Sequence, residues 1–86
     1  MSAKKPAIDV LGVPLAVGDI VEVRHVPAWL LSGLPIADQS AIRNLVGQRA
    51  PIAAFDGVGN AEVEFTEPKD APRTIWIDPD CLLRIA

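Results

Sequence analysis

The chain has no tyrosine, one cysteine (Cys81), one histidine (His25), and only two tryptophans and two phenylalanines among its 86 residues. Each scarcity removes a class of function. A single cysteine makes no intramolecular disulfide, so no disulfide framework supports the fold, and a reducing cytoplasm is the expected compartment. One histidine and one cysteine supply neither a zinc cluster nor a two-histidine acid–base pair. Basic clusters are also missing. The five arginines at 24, 43, 49, 73 and 84 are dispersed, and the net charge of -3 with a pI near 4.9 repels phosphate backbones, which argues against nucleic acid as a partner. No run reaches the ~18 apolar residues of a membrane span. In the lysine-led opening "MSAKKPAIDVLGVPLAVGD", Pro6, Asp9, Gly12 and Pro14 interrupt any signal-peptide core, so no membrane association is expected.

What is present is a chain that is 50% hydrophobic, its apolar residues scattered in short β-branched groups. That pattern describes one folded domain built of short strands. Residues 1–7 are polar or small and are expected to form a frayed tail, with the domain over 8–86. Gly18-Asp19 reads as a turn into the strand "IVEVRHV", where Val21, Val23 and His25 share one face and Glu22 and Arg24 the other. "IADQSAIRNLVG" carries Ala41, Ile42 and Leu45 at helical spacing, with Pro35 suited to a first turn and Gly47 to the position just past the end. One short helix is predicted over about 36–46. In "RAPIAAFDGVGNAEVEF" an apolar run, a glycine-rich turn and Ala61, Val63 and Phe65 alternating with Glu62 and Glu64 read as a β-hairpin. A proline-bearing loop "TEPKDAPR", a strand "TIWI", a tight turn "DPDCL" and a closing strand "LRI" complete the chain.

The stretches "GDIVEV" at 18–23, "VGQRAPIAAFDGVGNAEVEF" at 46–65 and "TIWIDPDCLLRI" at 74–85 together resemble the small SH3-like β-barrel, with a strand pattern similar to mind-bomb-type and KOW-type barrels. The resemblance covers most of the chain. It implies a mainly β fold: a five-stranded barrel with the helix inserted between the first and second strands and a one-turn 3₁₀ helix at "DPDCL". It names an architecture, and function has to be argued from the site. Peptide-binding SH3 domains use an aromatic-lined groove, whereas this chain has no tyrosine and no ALYDY-like opening.

The candidate site is the stretch "VPAWLLSGLP". One reading folds Trp29, Leu30 and Leu31 back with Ile42 and Leu45 as a plug for the open end of the barrel, since so small a domain is short of core. The other leaves Trp29 and Leu30 exposed, joined by Trp76, which points outward if Ile75 and Ile77 point inward. On that second reading the chain is a non-enzymatic module, with no cofactor and no metal, that binds a protein partner through the loop 27–35. Arg24, Asp38 and Arg43 would be its rim charges. A self-associating structural protein using the same patch is the alternative, and a small enzyme or ligand carrier comes third. "DGVGN" lacks the spacing of a calcium loop and of phosphate-binding loops and reads as a turn. Cys81, in an apolar closing segment, reads as a buried inert thiol ahead of a nucleophile paired with His25. Asp78 and Asp80, flanking Pro79, read as caps of local backbone. The acidic run Asp56, Glu62, Glu64, Glu67 and Asp70 reads as a solvated face, with docking of a basic partner as the sharper alternative.

Overall fold

Alternation decides which side chains of each strand are buried, and the computed structural model, which describes residues 5–65 and 74–86, follows it closely. Strand β1 (Ile20–Val23) buries Val21 and Val23, β3 (Ala61–Glu64) buries Ala61 and Val63, and β4 (Thr74–Ile77) buries Ile75 and Ile77. With β2 (Arg49–Phe55) and β5 (Leu82–Arg84) they form one five-stranded antiparallel sheet in the order β4-β3-β2-β1-β5. These inward residues meet Leu15, Leu45, Ala50, Ile52, Phe65, Cys81 and Leu82 in a single core.

The central strand does two jobs. Its first half pairs with β1 and its second half with β3, and between Ile52 and Ala54 the register slips by one residue. Such a bulge bends a strand and sharpens its twist, which lets β2 carry the sheet round a corner. Pro51 is tolerated in the middle of this sheet because Ile20, its partner in register, bonds instead to the chain end. The Ile20 N–H donates to the Ala86 carbonyl at 2.8 Å, and the Ile85 N–H donates to the Ile20 carbonyl at 2.7 Å.

Two helices connect β1 to β2: a single turn α1 (Ala28–Leu31) and α2 (Ile36–Arg43). Helix α2 begins after Pro35, buries Ala41 and Ile42, and ends three residues short of the predicted limit. The chain then runs through turns to Gly47, whose φ of 89° suits a residue without a side chain. The α1 turn falls inside the segment expected to be a loop. A 3₁₀ turn, Pro79–Cys81, leads into β5 as the resemblance implied.

The barrel does not close. Strands β4 and β5 are the two edges of the sheet, and the 3₁₀ turn between them redirects the chain before a ladder between the edges can form. The fold is therefore mainly β, a five-stranded antiparallel sheet with few helices. Strand β1 also ends earlier than the alternation suggested, so His25 lies beyond it and is exposed.

Of the tail expected over 1–7, residues 1–4 lie outside the described residues. Lys5 donates its backbone N–H to the Val58 carbonyl at 2.9 Å, and the Ala7 carbonyl accepts from the Leu15 N–H at 2.8 Å. The loop "TEPKDAPR", with Glu67 and Asp70, lies wholly outside the described residues. No helix among the described residues is long and apolar enough to cross a membrane.

Candidate functional site

The stretch that carries Trp29 divides between core and surface. Pro27 precedes α1, a single turn in which the Leu30 N–H donates to the Pro27 carbonyl at 3.1 Å. That turn sends Leu30 inward, where it packs against the core, while Leu31 is half-buried. Trp29 faces out at 47% exposure. Leu30, expected to be exposed beside Trp29 on the surface reading, is instead partly buried because the helical turn points the two side chains in different directions.

Trp29 is nonetheless held in place. Its ring N–H donates to Asp78 Oδ2 at 2.8 Å, and the Lys5 ammonium stands 5.2 Å from the ring centroid, within cation–π range. Lys5 Nζ also donates to Asn60 Oδ1 at 2.6 Å and forms an ion pair with Asp78 Oδ1. Burial works to raise the Asp78 pKa. The hydrogen bonds from Lys5 and Trp29, and the charge of Lys5, outweigh it and hold the carboxyl below its ordinary value. Asp78 does not cap local backbone, as its place in a turn suggested, because its carboxylate is taken by partners far away in the chain.

Asn60 is oriented from behind. Asp56 accepts from the Asn60 backbone N–H at 2.8 Å and from its side-chain Nδ2 at 3.1 Å, and from the Val58 N–H at 3.0 Å. Fixing the amide nitrogen toward Asp56 turns the amide oxygen toward Lys5. The same bonds outweigh desolvation and lower the Asp56 pKa.

Trp76 lies on the outer face of β4 at 37% exposure, opposite Glu62 in register. It is two residues from Asp78, so the Trp29–Asp78 bond brings α1 to the end of the strand that carries Trp76. Arg24 is exposed and paired with Glu22 at 3.4 Å, and Arg49 approaches the same carboxylate at 3.3 Å. Asp38 and Arg43, in the first and last turns of α2, are exposed and form no ion pair among the described residues.

Cys81 and His25 do not make a nucleophilic pair in this arrangement. The Arg24 and His25 backbone N–H groups both reach the Cys81 carbonyl, at 2.9 and 3.3 Å, but the His25 side chain is exposed whereas Cys81 is buried. The thiol lies 3.8 Å from Asp80 Oδ1, and burial together with the charges of Asp80 and Asp78 pushes its pKa up to about 11. Asp78, Asp80 and Cys81 bring their possible ligand atoms within 4.8 Å of one another. A thiol held protonated and a carboxylate already engaged by Lys5 and Trp29 make a poor donor set.

The local sequence puts Lys5 in the tail, Asn60 in a turn and Asp78 at a cap, and marks none of the three as a site residue. The one available signal was the placing of a lysine, an asparagine and an aspartate in three segments next to apolar strands, which no local pattern joins. No protein-family model, curated protein or solved structure matches this chain.

Proposed function

We propose that the protein is a non-enzymatic interaction module that binds a protein partner through the apolar segment 27–35 and the neighbouring outer face of β4. The sheet is read as an SH3-like barrel left open between its edge strands, with the α1–α2 insertion as its recognition element. The observation that carries this reading is Trp29, half exposed yet fixed by a hydrogen bond to Asp78 and by the overlying Lys5. An exposed aromatic that is already ordered gives up little conformational freedom on binding, and tryptophan is favoured among residues that dominate interface energetics. Trp76 extends the apolar face, and Arg24, Asp38 and Arg43 provide charges at its margin.

A second reading is self-association. Strand β4 is an edge strand whose outer backbone groups bond to nothing among the described residues, so a second copy has a ladder to extend.

The test compares the wild-type chain with Trp29→Ser and Trp76→Thr, each confirmed as folded by circular dichroism, in sedimentation and in affinity capture. A protein captured by the wild type and lost by Trp29→Ser supports the module. A concentration-dependent doubling of mass abolished by these substitutions supports self-association. Identical capture and identical mass for all three folded chains would overturn both.

A further inference from the structure

Lys5 is bound as a ligand is bound, along both its side chain and its main chain. The ammonium has a carboxylate (Asp78), an amide oxygen (Asn60, 2.6 Å) and an indole face (Trp29, 5.2 Å to the centroid). The backbone N–H has the Val58 carbonyl at 2.9 Å. Gly59 makes room for the rest: a Cβ on that residue would come 2.5 Å from the Lys5 carbonyl oxygen and 2.8 Å from its nitrogen. A surface lysine that merely meets a carboxylate needs neither an oriented amide nor a glycine floor. Here Asp56 turns the Asn60 oxygen toward the ammonium, and Gly59, with φ of 94° and no side chain, admits the Lys5 backbone against the hairpin turn. Carboxylate, neutral acceptor and aromatic face are the three groups that recognise an alkylammonium.

We propose that Asp78, Asn60, Trp29, Val58 and Gly59 form a lysine-reading site, occupied in the resting chain by Lys5, which accepts in exchange a lysine-bearing extended segment of a partner. The inference rests on the reading of Trp29 as part of a recognition surface and names the chemistry of the partner. Charge agrees with it. The hairpin and 3₁₀ turn that frame the site carry Asp56, Asp78 and Asp80, and the chain has a net charge of -3. Because Lys5 is tethered, it competes as an intramolecular ligand, at an effective concentration of about millimolar for a short connection. An incoming lysine therefore binds more weakly to the intact chain than to one lacking the Lys5 ammonium.

The experiment is an NMR titration of the full chain carrying Lys5→Ala, following the Trp29 ring N–H and the Asn60 side-chain amide. The probe is a capped peptide of sequence AAKPAI, with a control in which norleucine replaces the lysine and so removes the ammonium. Saturable shifts of both resonances with the lysine peptide are expected, with about tenfold weaker binding to the wild-type chain from competition by Lys5, and no saturation with the norleucine peptide. A folded Lys5→Ala chain with no saturable shift, or with equal response to both peptides, would overturn the proposal. Should Lys5→Ala fail to fold, Lys5→Met keeps the alkyl stem against Trp29 and is read by the same two outcomes. The broader reading fails separately. Loss of lysine binding with Trp29-dependent capture intact overturns the lysine site alone, while lysine binding without any Trp29-dependent capture overturns the partner surface alone.

Discussion

Asp9 is 2% exposed, and its carboxylate is stable there because three backbone N–H groups point at it: Leu11 at 2.9 Å, Val13 at 2.8 Å and Arg84 at 2.8 Å. Burial acts to raise its pKa, and these donors, helped by the charge of Arg84, reverse the effect and leave it lowered. Asp9→Asn puts an amide N–H where one of those donors needs an acceptor, so a loss of roughly 1–3 kcal/mol in urea unfolding at neutral pH is expected. A lowered folded-state pKa contributes stability that is complete above the unfolded value near 3.8 and is lost as pH falls through the folded value. The gap between wild type and Asp9→Asn should therefore narrow below that value, and a gap that widens on acidification would contradict the assignment. Cys81 makes the opposite case. With its thiol pushed up to about 11, the native chain should resist alkylation by iodoacetamide at pH 8 and react at once in denaturant. Rapid native labelling would show a thiolate that this environment does not allow.

Strand β4 shows how one element serves two ends. Ile75 and Ile77 fill the core while Trp76 between them faces out, so the same four residues supply packing and a surface aromatic. Ile77→Ala should cost about 2–5 kcal/mol as a core truncation. Trp76→Thr changes a side chain 37% exposed on the outer face and should cost clearly less than Ile77→Ala. Comparable losses from the two would mean that the faces are reversed. The β2–β3 turn is equally specific. Alanine at Gly18 or Gly59 meets the same positive φ, about 94° at both, but a Cβ at Gly18 meets open space and one at Gly59 meets the Lys5 backbone. Gly59→Ala should accordingly lower the thermal midpoint more than Gly18→Ala, and equal shifts would show that Lys5 does not rest on the turn. Strand β5 has its outer edge covered. The Val10 N–H donates to the Leu82 carbonyl at 2.8 Å, and the Asp9 carboxylate accepts from the Arg84 N–H, so the first turn of the chain satisfies groups that an edge would otherwise present.

At the scale of the whole molecule, that covering separates the two edges of the open sheet. A chain beginning at Leu15 uncovers β5, at the edge opposite β4, whose outer groups are unpaired among the described residues, and it should scatter more light at a given concentration than the full chain does. Unchanged scattering would show that Asp9 and Val10 contribute nothing to edge protection. The same contrast between near and far contacts runs through everything the structure added. The alternation of Val21 with Val23, of Ala61 with Val63 and of Ile75 with Ile77, the turn at "DGVGN" and the helix after Pro35 were legible in the sequence. Burial on a strand or helix face follows from periodicity along the chain itself, and a turn follows from residues that tolerate its backbone. The bulge in β2, the open edges and the site around Trp29 were not legible. Lys5 and Asp78 are 73 residues apart and Trp29 and Asp78 are 49, and nothing local marks either pair. Local periodicity determined which faces turn inward. Tertiary packing alone decided which polar side chains meet across the sheet, because that depends on register and strand order.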